Sequence, residues 1–291
     1  MCDEFTAVEE AVALDRKGLS RREFAAIGAA ATLAACTGGP GSAKSDVKLG
    51  EAMVAVRTPD GEADAFFVHP ATGRHPGVVM WPDIAGLRDA YKQMARRLAG
   101  AGYAVLVVNH YYRSARAPIV ATMAEWRTPD VQAKLKPMIA ALTPSGINSD
   151  AEAFVGWLDA QGAVDTGRGI GSNGYCMTGG YTIRTAAAVP GRVKQACSFH
   201  GAGLVTDQPD SPHLLIPKTK AGFLFAIARN DDARDPAAKD ALRATAEKAQ
   251  RSAEIEVYPA DHGWCTLDAP TYDKVQAERA WARLIDHFGK L

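Results

Sequence analysis

The chain has 291 residues, 47% of them hydrophobic, with 33 basic and 33 acidic side chains, which suits one large α/β domain with an ample core. Zero net charge, with no basic cluster interleaved by aromatics, leaves no electrostatic footprint for nucleic acid. Beyond the N-terminal region there is no repeat and no stretch long and apolar enough to span a bilayer.

The N-terminus differs in kind from the rest. Ser20-Arg21-Arg22-Glu23-Phe24 holds an arginine pair directly before the weakly apolar residues 25–35. Leu33-Ala34-Ala35-Cys36 follows, then a loose Thr37-Gly38-Gly39-Pro40-Gly41-Ser42 linker. This pattern predicts a twin-arginine export signal over residues 1–35 ending in a lipobox, a linker over 36–49, and a catalytic domain over 50–291. Cys36 is the expected lipidation site, although Ala34-Ala35 also permits ordinary cleavage. The expected location is the periplasm or the cell envelope, with the membrane touched only through the anchor. Of the five cysteines, Cys2 would be lost with the signal and Cys36 acylated. Cys176, Cys197 and Cys265 remain, so at least one thiol stays unpaired within the chain.

Residues 52–57 and 63–69 alternate apolar and polar side chains around Asp60-Gly61, the pattern of an edge hairpin. Residues 75–81 and 103–109 carry continuous apolar runs of the kind buried on both faces in a parallel sheet. A helix over 88–99 joins them, predicting a right-handed crossover. Residues 110–147 contain Pro118, Pro129, Pro137 and Pro144, and read as a loop and helix excursion that forms part of a pocket wall. A helix over 150–161 precedes the weakly strand-like residues 169–174. Helices are then expected over 181–189, 236–252 and 271–288, and strands over 193–199, 222–228 and 254–258. The whole predicts a single doubly wound α/β domain with a mostly parallel sheet.

Asn173-Gly174-Tyr175-Cys176-Met177-Thr178-Gly179-Gly180 places one cysteine among small residues where a strand turns into a helix. A nucleophile elbow needs this, because a strained turn lifts the nucleophile above the sheet edge and small neighbours let the helix pack close. Thr178 stands where the usual pattern has glycine. The bland alternative is a buried structural thiol. Acyl transfer also needs a base, an acid to orient it, and donors for the oxyanion. In α/β-hydrolases the order is nucleophile, acid, histidine. Here Cys176 is followed by Asp231 or Asp232 at the end of the 222–228 strand, then by His262 after the last strand. All three fall at strand C-terminal ends, where ligands bind in open α/β sheets.

With these residues in place, the chain resembles the dienelactone hydrolase family over nearly all of residues 50–291. The resemblance rests on Gly174-Tyr175-Cys176-Met177, Pro82-Asp83-Ile84-Ala85-Gly86, Ser198-Phe199-His200-Gly201, Asn230-Asp231 and Asp261-His262-Gly263-Trp264. It implies an α/β-hydrolase fold, with Cys176 as nucleophile, His262 as base and Asp231 as orienting acid. It also implies that the N–H groups of Met177 and Ile84 bind the oxyanion. Asp83 matches a position where the family has a glutamate paired with the resting thiol, and a helix N-cap is its alternative role. Arg113 matches an arginine placed on the substrate carboxylate, with Tyr112 beside it. A second arginine past the histidine is replaced by Trp264-Cys265-Thr266, which makes Trp264 a candidate pocket residue.

His200 reads as a pocket-edge or core histidine and Cys197 as core packing. Cys265 reads as pocket-lining or open to oxidation. Cys176, His200 and His262 lack the short spacing of a metal site. The expectation is therefore an exported, cofactor-free and metal-free hydrolase, a monomer acting on a small lactone or activated ester through an acyl-enzyme. The alternatives are an acyltransferase or thioesterase on the same triad, and a lipid-anchored binding protein without activity.

Overall fold

The computed structural model describes residues 47–291, so the export signal and Cys36 lie outside the described residues. Strands β1 (Leu49–Thr58) and β2 (Gly61–Pro70) form an antiparallel hairpin paired from Leu49↔Pro70 to Thr58↔Gly61. Gly61 takes φ 136° at its turn, a backbone angle that a side chain would strain. The chain continues through β3 (Gly77–Trp81), β4 (Ala104–Val108), β5 (Ile170–Tyr175), β6 (Val193–Phe199), β7 (Gly222–Ala228) and β8 (Ala253–Tyr258). These make one eight-stranded sheet in the order β1-β2-β4-β3-β5-β6-β7-β8. Only the β1·β2 and β2·β4 pairs are antiparallel; the rest are parallel.

The helices are α1 (Asp89–Gly100), α2 (Met123–Trp126), α3 (Pro129–Ala140), α4 (Pro144–Asp159), α5 (Gly179–Ala188), α6 (Arg229–Arg234), α7 (Ala238–Lys248) and α8 (Lys274–Phe288). Strand side chains alternate between two cores, as a period of two demands. Val79, Trp81, Leu106 and Phe225 join a cluster with α4, α5 and α7. Val78, Met80, Val107 and Leu224 join one with α1 and α8. Both sheet faces are thus covered, the doubly wound arrangement expected from the apolar runs of β3 and β4.

The excursion holds more helix than residues 110–147 suggest. Pro129 and Pro144 stand at the first turns of α3 and α4, where a missing N–H costs nothing, and Thr143 Oγ1 accepts from Gly146 N at 3.1 Å. The excursion builds a third cluster in which Ile119, Met123 and Trp126 pack with Ile84, Tyr111 and Cys176. This roof lies over the C-terminal end of the sheet, against the elbow.

Strand β5 is fully buried despite its weak strand composition. A Cβ on Gly171 would lie 2.8 Å from the Phe288 ring, and one on Gly174 would lie 2.5 Å from the Thr178 carbonyl oxygen. Glycine here allows α8 and the elbow to approach the central strand, so packing overrides propensity.

Candidate active site

Cys176 follows β5 with φ 57°, a left-handed backbone for a residue with a side chain, and is 3% exposed. Such a conformation costs of order 1–3 kcal/mol and persists only when its surroundings hold it. Two contacts from the segment after β6 do so. Cys176 N donates to His200 Nδ1 at 3.1 Å, and Cys176 O accepts from Ala202 N at 3.0 Å. Thr178 adds a third tie, accepting Tyr175 N–H at 3.1 Å with its hydroxyl 2.9 Å from the Trp81 and Tyr175 carbonyl oxygens. The threonine that breaks the usual glycine pattern therefore fastens the elbow to the end of β3.

The histidine is held by four contacts between the loop after β8 and α6. Arg229 N donates to Ala260 O at 3.0 Å, and the Arg229 guanidinium forks onto Asp261 at 2.8 and 3.1 Å. Asn230 Oδ1 accepts from His262 N at 2.9 Å, and Asp231 Oδ2 lies 2.6 Å from His262 Nδ1. Thr271 Oγ1 closes the other side on His262 O at 2.6 Å. Asp232 instead faces Lys239 at 2.7 Å. With Nδ1 tied to the carboxylate, Nε2 is the imidazole nitrogen presented for proton transfer.

His200 connects the two halves. Its ring meets His262 edge-on at a centroid distance of 4.8 Å and Trp264 at 5.2 Å. Because its Nδ1 accepts the Cys176 N–H, its proton sits on Nε2. Burial, reinforced by the neighbouring His262, holds its imidazole neutral, well below the ordinary histidine range. His200 is the core histidine that the sequence suggests, with the added task of holding the nucleophile's backbone. The one sequence signal for this is its place directly after a parallel strand.

Ile84 and Met177 flank Cys176. Ile84 shares its apolar cluster and Met177 packs against that cluster. Met177 opens a helical turn, where backbone N–H groups have no acceptor within the helix. The Tyr111 hydroxyl donates to Ile84 O at 2.8 Å and fixes that segment from the roof.

The four residues expected to bind substrate are engaged elsewhere. The Asp83 carboxylate takes a fork from Arg88 at 2.7 and 2.9 Å and accepts from Ala85 N at 2.9 Å within a turn. The next helix starts only at Asp89 with Arg88 before it, so Asp83 is not the helix N-cap of its alternative role. Arg113 is not an open carboxylate clamp, because its guanidinium is bound by Asp150 and Asp60 at 2.6–2.9 Å. Tyr112 bonds Asp150 at 2.8 Å and Thr58 at 2.7 Å. Trp264 is fully buried and stacks on Tyr258 at 5.1 Å instead of lining an opening.

Arg88 is a residue the sequence does not flag. It is fully buried and forks onto both Asp83 and Asp268, the latter at 2.8 and 2.7 Å. Asp268 Oδ2 also accepts Met123 N at 3.0 Å. One cation thereby joins the Ile84 segment, the loop that carries His262, and the roof. Burial works against ionisation of Asp268, but Arg88 and the Met123 N–H outweigh it and hold the carboxyl below its usual range. Cys176, Cys197 and Cys265 are all buried and form no disulfide with one another, and burial raises the thiols of Cys197 and Cys265 well above the ordinary cysteine range.

Arg88→Met leaves two buried carboxylates facing each other. It is expected to cost about 3–5 kcal/mol of stability, read by urea unfolding. A loss under about 1 kcal/mol would mean that the three segments hold together without the cation. A second expectation concerns pH. Burial lowers His110 to about 3, and His200 is also held neutral, whereas both take a proton near the ordinary histidine value when unfolded. Folded values below unfolded ones give stability that is whole above that value and is lost as pH falls. Each group should cost about 1.4 kcal/mol per pH unit between roughly pH 6.5 and pH 5. His110→Phe is expected to remove about half of that slope in urea midpoints.

Comparison with known proteins agrees with this geometry. The sequence profile of the dienelactone hydrolase family matches residues 63–291. A protein of Methylorubrum extorquens named "Putative carboxymethylenebutenolidase" is 28% identical over 235 residues, covering 79% of this chain and 77% of its own length. A crystal structure titled "Putative Dienelactone Hydrolase" from Klebsiella pneumoniae superposes with a TM-score of 0.72 at 21% identity, covering 84% of this chain and 100% of its own. A dienelactone hydrolase-like promiscuous phosphotriesterase from metagenomic libraries gives a TM-score of 0.68 at 20% identity, covering 84% of this chain and 98% of its own. The chain has the α/β-hydrolase fold, is a hydrolase, and belongs to the dienelactone hydrolase family.

Proposed function

We propose that this protein hydrolyses a small lactone or activated ester through a Cys176–His262–Asp231 triad and a thioester intermediate. The observation that carries the reading is the pairing of His262 Nδ1 with Asp231 at 2.6 Å, beside a cysteine on a strained turn. His262 Nε2 takes the thiol proton, and the Cys176 sulfur attacks the carbonyl carbon. The oxyanion lies against the N–H groups of Met177 and Ile84, which need not reorganise as charge develops. Collapse breaks the ester C–O bond, and the leaving oxygen takes the proton from His262. In a lactone that oxygen stays tethered to the acyl chain. Water then gives a proton to His262 and attacks the thioester, releasing the carboxylic acid and the thiol. Asp231 keeps the imidazole in the correct tautomer and stabilises its cation without itself being protonated.

Cys176→Ala is expected to lower turnover of aryl esters and lactones by about a thousandfold or more. Asp231→Asn should lower kcat by roughly a hundredfold or more while the urea midpoint stays near that of the parent. Acid quenching during aryl ester turnover should leave the acyl mass on the peptide that contains Cys176. Undiminished turnover by the alanine variant would sink the triad.

We also propose export by the twin-arginine route with an anchor at Cys36, supported by Arg21-Arg22 before the Ala-rich run. The full chain, expressed in a twin-arginine-competent bacterium, should fractionate with the envelope and carry an acyl mass on Cys36. A full-length cytosolic product would overturn this.

A further inference from the structure

An open cavity of about 260 Å³ lies beside the elbow, and Met177, Gly180, Tyr181 and Arg184 form one of its walls. These positions are spaced i, i+3, i+4 and i+7, one face of the elbow helix, so the groove runs along α5 away from the oxyanion donor. Its character changes along that line. Leu142 and Ile147 give it an apolar side, whereas Arg184 and Asp210 give it a charged one.

Arg184 is the unusual member. Its side chain is 9% exposed, yet only Nη2 donates to protein among the described residues, at 2.7 Å to the Asp210 carbonyl oxygen and at 3.4 Å to its carboxylate. The partner carboxylate is 49% exposed. The guanidinium thus retains the N–H donors of Nε and Nη1, and its positive charge, for an anionic acceptor in the groove. The other cations around the site differ. Arg113 and Arg88 are each bound by two aspartates.

We propose that Arg184 reads an anionic group on the substrate and that this group lies far from the scissile carbonyl. Seven residues along a helix span about 10 Å, shortened somewhat because helical side chains lean toward the N-terminus. A compact lactone with its carboxylate a few bonds from the carbonyl does not reach from the Met177 N–H to Arg184. An ester whose carboxylate is carried on an extended hydrocarbon spacer does, and the spacer lies on the apolar side. This inference rests on the hydrolase reading above.

The test measures kcat/KM for p-nitrophenyl hemi-esters of dicarboxylic acids from succinate to sebacate, against neutral p-nitrophenyl alkanoates of matched length. A parallel set carries the carboxylate on the alcohol side. The anionic-to-neutral ratio is expected to rise with spacer length in at least one set. Arg184→Gln should lower the ratio for the long members roughly tenfold, Arg184→Lys less so, and Asp210→Asn should raise it by removing the competing carboxylate. The ratio is internal to each preparation, so partial unfolding of a variant does not mimic the effect. Turnover of neutral esters with a ratio that ignores spacer length and all three substitutions would overturn the Arg184 assignment alone. No turnover of any ester or lactone would overturn the hydrolase reading, and this inference with it.

Discussion

The site depends on two backbone contacts that hold one residue in a conformation it would not choose. Cys176 sits at φ 57° because His200 accepts its N–H and Ala202 donates to its carbonyl. Residues 200–202 extend from β6, the neighbour of β5, so the strain is stored in the sheet's register and not in a local turn sequence. His200 itself has φ 40° and donates its N–H to Ala226 O at 2.8 Å, so the same loop is fastened to β7 in turn. The backbone geometry of Cys176 is thereby fixed by three consecutive strands of the sheet.

The second constraint is ionic. A fully buried arginine is tolerated only with its charge matched and its donors satisfied, and Arg88 meets both conditions with two carboxylates and the Gly86 carbonyl oxygen at 3.2 Å. Those carboxylates belong to segments with different tasks. Asp83 precedes the Ile84 amide, and Asp268 lies on the loop that begins with His262. Arg88 therefore ties the Ile84 segment to the loop that carries His262, while Met123 N brings the roof to the same point. The position that the family resemblance gives to a thiol-paired acid carries a buried ion pair with Arg88 here.

Much of the fold is legible because burial on both faces demands unbroken apolar runs, and β3, β4 and β7 have them. Strand β5 is obscure for the opposite reason. Its glycines serve close approach by Phe288 and by the elbow, so its sequence advertises packing and not strand propensity. Helix α3 and the first turns of α4 are hidden by the prolines that begin them, since the same residue signals a break within a helix and a start at its first turn. The choice between Asp231 and Asp232 is invisible to chain order. On a helical turn adjacent residues differ by about 100° in direction, which aims one at His262 and the other at Lys239.

The sequence by itself determines the order and placement of the reacting groups. A cysteine, an aspartate pair and a histidine each follow a recognisable strand, and parallel strands deliver their C-terminal ends to one edge. What only the tertiary structure decides is which charges stay available. Arg88, Arg113 and Arg184 look alike in sequence, but a cation's role depends on the carboxylates within a few ångströms of it. Arg88 meets an aspartate 180 residues away, and Arg113 meets one 37 residues away. Electrostatic pairing acts through distance in space, and the chain alone does not encode that distance locally.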